Sequence, residues 1–127
     1  MNTAAPPLQV ALVEDDPPLR DATMQTLALE GAEVAAFPDA RAALAWLDAD
    51  YPGVVVSDVR MPGIDGIAFF EKLRKIDPDL PVILLTADAI AAQGDWQARG
   101  AADVLTKPID VPALLAAMDR ALLEPVA

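Results

Sequence analysis

Three short runs, Leu8 to Val13, Val54 to Val56 and Val82 to Leu85, are nearly continuous in valine, leucine, isoleucine and alanine. A strand shows one side chain to each face of its sheet in turn, so an almost unbroken apolar run suits a strand covered on both sides. Helix-length amphipathic segments separate the runs, and that alternation predicts βα units around a parallel sheet. Five units fit, with Ala32 to Phe37 and Ala102 to Leu105 as the weaker strands. The expected fold class is α/β: a doubly wound, five-stranded parallel sheet of order 2-1-3-4-5 between two layers of helices, five in all.

Helix boundaries are written in the chain. Asp16 is placed to cap a first helix, with Pro17 in its first turn and Gly31 just past its end. Asp39 is placed to cap the second. In the last helix Val111, Leu114, Leu115, Met118 and Leu122 form one stripe at a 3.6-residue period, and Pro125 ends it. The fourth helix, Ile90 to Arg99, carries Gly94 and Asp95 and only Ile90 and Trp96 as large apolar anchors, so it is expected to be mobile.

The 127 residues suit one domain, expected over 8–124, with loose tails at 1–7 and 125–127. No apolar run approaches the roughly 20 residues of a membrane-spanning helix, and Met1 to Pro7 lacks a basic n-region and an apolar h-region. A cytoplasmic location and no membrane partner are therefore expected. Cysteine and histidine are both absent. That excludes disulfides, zinc-thiolate sites, Ser-His-Asp triads and a histidine phosphocarrier within the chain. A net charge of -11 would repel a nucleic-acid backbone, so no direct nucleic-acid binding is expected. Any chemistry must run on carboxylates, hydroxyls and lysine.

In a sheet of this order the ligand crevice lies outside the carboxyl ends of strands 1 and 3, where the winding reverses. Strand 1 runs into Glu14, Asp15 and Asp16, strand 3 into Ser57 and Asp58, strand 4 into Thr86, and strand 5 into Thr106 and Lys107. Carboxylates about 4 Å apart repel by about 4 kcal/mol per pair at an effective dielectric near 20. A hard divalent cation offsets this, and magnesium suits because it takes carboxylate oxygens while sharing phosphate oxygens with a substrate. Asp58 is then a candidate nucleophile, Lys107 a point charge for a phosphate oxygen, and the Thr86 hydroxyl a donor that engages once phosphate arrives. Each residue alone has a bland reading: an acidic cap, a turn aspartate, a surface lysine, a strand-end hydroxyl. Their convergence on one crevice is what those readings leave unexplained.

The segments Val13-Glu14-Asp15-Asp16, Ser57-Asp58-Val59-Arg60-Met61-Pro62-Gly63-Ile64-Asp65-Gly66, Leu85-Thr86-Ala87 and Thr106-Lys107-Pro108 resemble the successive motifs of response-regulator receiver domains, across nearly the whole chain. Gly53 to Thr86 looks most like receivers of the C4-dicarboxylate transport regulators, within the sigma-54-dependent activators. The resemblance implies a flavodoxin-like fold and a two-component signalling role, with Asp58 as phosphoacceptor. It implies magnesium, with manganese as a substitute, held directly by Asp16, Asp58 and the Arg60 carbonyl, and by Asp15 mainly through water. It implies a cis Lys107–Pro108 bond. It implies a sensor histidine kinase or histidine phosphotransfer protein as donor, an ATPase and DNA-binding output domain if the chain is a fragment, and a phosphorylation-dependent dimer.

Two departures stand out. Receivers often carry an aromatic residue three positions before the lysine, where this chain has Val104, so the switch signal leaves by another route or is more weakly coupled. Arg60 and Asp88 occupy positions that in receivers overlook the phosphoryl group, and are expected to pair across the site mouth and slow hydrolysis. Rival readings are a free-standing receiver, a phosphorylation-independent binding module, and an aspartate-nucleophile phosphatase of the haloacid dehalogenase type. The last resembles DxDx[TV], whose second aspartate is missing from Asp58-Val59-Arg60. A flavodoxin-like flavin binder would suit the fold, but this chain has no phosphate-cradling Ser/Thr/Gly loop after strand 1.

Overall fold

The computed structural model describes residues 8–59, 66–87 and 100–123. The expected tails at 1–7 and 125–127, the fourth helix at 90–99, Arg60 and Asp88 lie outside them. Five strands, β1 (Gln9–Val13), β2 (Glu33–Phe37), β3 (Val54–Asp58), β4 (Val82–Thr86) and β5 (Asp103–Thr106), alternate with helices α1 (Pro17–Leu29), α2 (Ala40–Trp46), α3 (Gly66–Ile76) and α4 (Val111–Leu123). All pairings are parallel and the order is β2-β1-β3-β4-β5, as the alternation predicts. No helix among the described residues is long and apolar enough to cross a membrane.

Strand periodicity divides the core in two. Ala11, Val13, Val55, Val82 and Leu84 meet α2 and α3 through Ala40, Ala43, Phe69, Phe70 and Leu73. Val10, Leu12, Val54, Val56, Ile83 and Leu85 meet α1 and α4 through Leu27, Leu114, Ala117 and Met118. Every residue of β3 and β4 is buried, which is why these strands read as unbroken apolar runs. Of the expected stripe on the last helix, Leu114 and Met118 are buried while Leu122 is exposed.

The helix ends explain how the loops reach the site. Gly31 has φ 94°, and with Ala32 it returns hydrogen bonds to Ala28 and Leu27, closing α1 in a left-handed turn. Asp39 accepts a hydrogen bond from the Ala42 amide at 2.8 Å, the cap expected of it. Asp16 occupies the corresponding position on α1, yet its side chain makes no capping hydrogen bond. Pro18 removes one of the two amides a cap ordinarily binds, and the other, on Leu19, goes unused by the Asp16 side chain.

Candidate functional site

The carboxyl ends of β1, β3, β4 and β5 open onto one crevice where the sheet order reverses between β1 and β3. Backbone bonds carry the register past the strand ends: Glu14 N–H donates to Phe37 O at 3.1 Å, Val59 N–H to Leu85 O at 2.9 Å, and Lys107 N–H to Thr86 O at 2.7 Å. Glu14 therefore continues the strand, and Asp16 already starts the helix. Lys107–Pro108 is cis.

Glu14, Asp15 and Asp58 each bring a carboxylate oxygen within 4.8 Å of the others, a group able to hold a metal ion. This differs in one member from the sequence expectation, which paired Asp15 with Asp16. Asp16 lies outside the group; its amide donates to Glu14 Oε2 at 3.3 Å. Glu14 and Asp58 are buried, at 3% and 4% exposure, whereas Asp15 faces solvent.

Lys107 reaches across from the end of β5. Its Nζ lies 2.6 Å from Asp58 Oδ1 and 3.1 Å from Glu14 Oε1. The contact with Asp58 is an ion pair without hydrogen-bond geometry, so buried Oδ1 has no hydrogen-bond partner among the described residues. Burial, and the neighbouring Glu14 carboxylate after it, push Asp58 up to about 7, with Lys107 opposing them. Burial would raise Glu14 as well, but Asp58, Lys107 and the Asp16 amide outweigh it and hold Glu14 below the usual range. The Lys107 ammonium is raised because the two carboxylates overcome its own burial.

Asp58, Lys107 and Thr86 thus stand at the ends of neighbouring strands, as expected. Thr86 is buried at the tip of β4 and in register with Thr106. Val104 is half-buried opposite Leu84 and packs on the α2–α3 side of the sheet. The expected Arg60 carbonyl ligand and the Arg60–Asp88 pair lie outside the described residues. Sequence reasoning missed Glu14 as a site residue: three consecutive acids look alike until strand pairing shows where β1 stops.

A buried aspartate oxygen without a hydrogen-bond donor, beside two further carboxylates and one lysine, fits a hard oxygen-seeking divalent cation. With such a cation bound, the Lys107 ammonium would let the same set take a group that carries its own oxyanions.

Comparison with known proteins points the same way. Residues 10–119 match the family described as the response regulator receiver domain. The C4-dicarboxylate transport transcriptional regulatory protein DctD of Rhizobium meliloti (strain 1021) is 45% identical over 124 residues, covering 94% of this chain and 26% of that protein. DctD of Pseudomonas aeruginosa is 49% identical over 115 residues, covering 90% of this chain and 25% of that protein. The chain thus spans about a quarter of the length of these relatives. The crystal structure of FixJ-N superposes with a TM-score of 0.83 at 28% identity, over 97% of this chain and 99% of that one. A match over most of the chain, on a doubly wound sheet with acids and a lysine at its switch point, means that the chain belongs to the response regulator receiver domain family.

Proposed function

We propose that the chain accepts a phosphoryl group on Asp58 in a magnesium-dependent reaction and passes the change to an output such as transcription. The observation that carries this reading is the buried Asp58 carboxylate, with an oxygen unpartnered by hydrogen bonds, between two acids and Lys107. The donor is a phosphohistidine on a sensor histidine kinase or phosphotransfer protein, since this chain has no histidine. A free-standing receiver would use the same chemistry. The DctD relatives are named transcriptional regulators, which supports a transcriptional output and a cytoplasmic setting.

Glu14, Asp15 and Asp58 would hold the magnesium, which when bound neutralises charge on phosphoryl oxygens and favours the ionised form of Asp58. The Asp58 carboxylate attacks phosphorus; a new O–P bond forms as the donor's P–N bond breaks, and the leaving imidazole keeps the electron pair and takes a proton. Lys107, now 2.6 Å from Asp58, is close enough to turn its ammonium onto a phosphoryl oxygen. Thr86, the residue after Asp58's register partner Leu85 on the adjacent strand, would donate its hydroxyl to that oxygen after transfer. Val104 gives the last strand no aromatic ring to follow the threonine, so the signal leaves through other contacts or is more weakly coupled. A dimer formed on phosphorylation is a further expectation of this reading.

Incubation with acetyl phosphate tests it. Magnesium-dependent gain of one phosphoryl mass, lost in Asp58→Asn, is expected; labelling of both proteins alike would refute the assignment.

A further inference from the structure

Glu14 is held at each of its polar groups. Its amide donates to Phe37 O, Oε1 meets the Lys107 ammonium at 3.1 Å, and Oε2 accepts from the Asp16 amide at 3.3 Å. Its carbonyl, just past the end of β1, accepts from Arg20 Nη1 at 2.9 Å. Arg20 stands in the first turn of α1, directly after Pro17, Pro18 and Leu19, and its own amide returns to Asp16 O at 2.8 Å. Pro17 and Pro18 bring no amide hydrogens to this helix start, and the Glu14 carbonyl accepts a charge-assisted hydrogen bond from a side chain instead of a backbone amide.

We propose that Arg20 is a positioning residue for the acidic site: through the Glu14 carbonyl it fixes the turn from β1 into α1 and so sets where the Glu14 and Asp15 carboxylates stand. The inference rests on the reading of Glu14, Asp15 and Asp58 as a divalent-cation site. Magnesium and manganese both demand well-placed oxygen ligands, and a residue that orients a ligand from behind typically changes metal affinity by about 10- to 100-fold. Coulomb's law alone predicts the opposite sign, since deleting a nearby cation should tighten the hold on another. The direction of change therefore separates positioning from charge.

The experiment is a Mn2+ titration, followed by water-proton relaxation, of the wild type, Arg20→Met, Arg20→Ala and Arg20→Lys, with circular dichroism and thermal melting of the metal-free proteins. Binding about tenfold weaker in Arg20→Met or Arg20→Ala, with native dichroism and partial rescue by Arg20→Lys, is expected. Two donor-free variants are included so that misfolding of one leaves the other to decide. Wild-type affinity or tighter in either folded variant overturns the role of Arg20. Absence of Mn2+ binding by the wild type would instead overturn the reading of the site itself, and the proposal with it.

Discussion

Replacing Asp58 by asparagine should stabilise the metal-free protein above neutral pH, even as it removes the proposed phosphoacceptor. Asp58 is 4% exposed, and burial followed by Glu14 raises it from 3.8 to about 7. That is roughly 3 units at 1.36 kcal/mol each, a ceiling of about 4 kcal/mol for ionising the group inside the fold. Because the folded value lies above the unfolded one, the native state binds the extra proton between them. This group therefore favours folding fully below about pH 4, and its contribution is lost as pH rises through about 7. Glu14 runs the other way, since its lowered value stabilises above about 4.5 and is lost on acidification. Asparagine mimics the protonated side chain at all pH values. Urea denaturation in chelator should find Asp58→Asn more stable by about 2–4 kcal/mol near pH 8, with the gap shrinking to about 1 kcal/mol near pH 4.5. A wild type as stable as the variant near pH 8, or a gap independent of pH, would show that burial does not hold the Asp58 carboxyl protonated in the fold.

Other consequences follow from single contacts. Lys107→Met removes a cation 2.6 Å from Asp58; after discounting for its partial exposure, about 1 kcal/mol of repulsion toward a divalent ion is relieved. Mn2+ should bind roughly fivefold tighter by relaxation titration, while labelling by acetyl phosphate falls. Gly53→Ala should lose more than about 2 kcal/mol in urea, since a Cβ there would stand 2.1 Å from the Gln9 carbonyl oxygen of β1. Gly31→Ala meets no atom within 4 Å, so only its φ of 94° opposes the change, and about 1 kcal/mol is expected by the same assay.

The sheet was legible because its strands are buried on both faces, so Val54 to Val56 and Val82 to Leu85 carry their own signature. The strand order and the crevice then follow from parallel winding. Which acids meet was less legible. Glu14, Asp15 and Asp16 are one carboxylate run in sequence, and the choice among them depends on a backbone bond from Glu14 to Phe37, a residue 23 positions away. The cap expected at Asp16 shows a similar limit: composition favours aspartate there, yet its side chain makes no capping hydrogen bond. Arg20 carried no sequence signal of a site role, because an arginine in the first turn of a helix ordinarily reads as a solvated side chain.

Asp58 is the residue proposed to carry the phosphoryl group. Borohydride reduction of protein treated with acetyl phosphate and magnesium, followed by peptide mass mapping, locates an acyl phosphate by the altered carboxyl it leaves behind. Reduction at Asp58 alone is predicted, while reduction at Glu14, Asp15 or Asp16, or a label that survives borohydride on a hydroxyl, would rule Asp58 out as the phosphoacceptor.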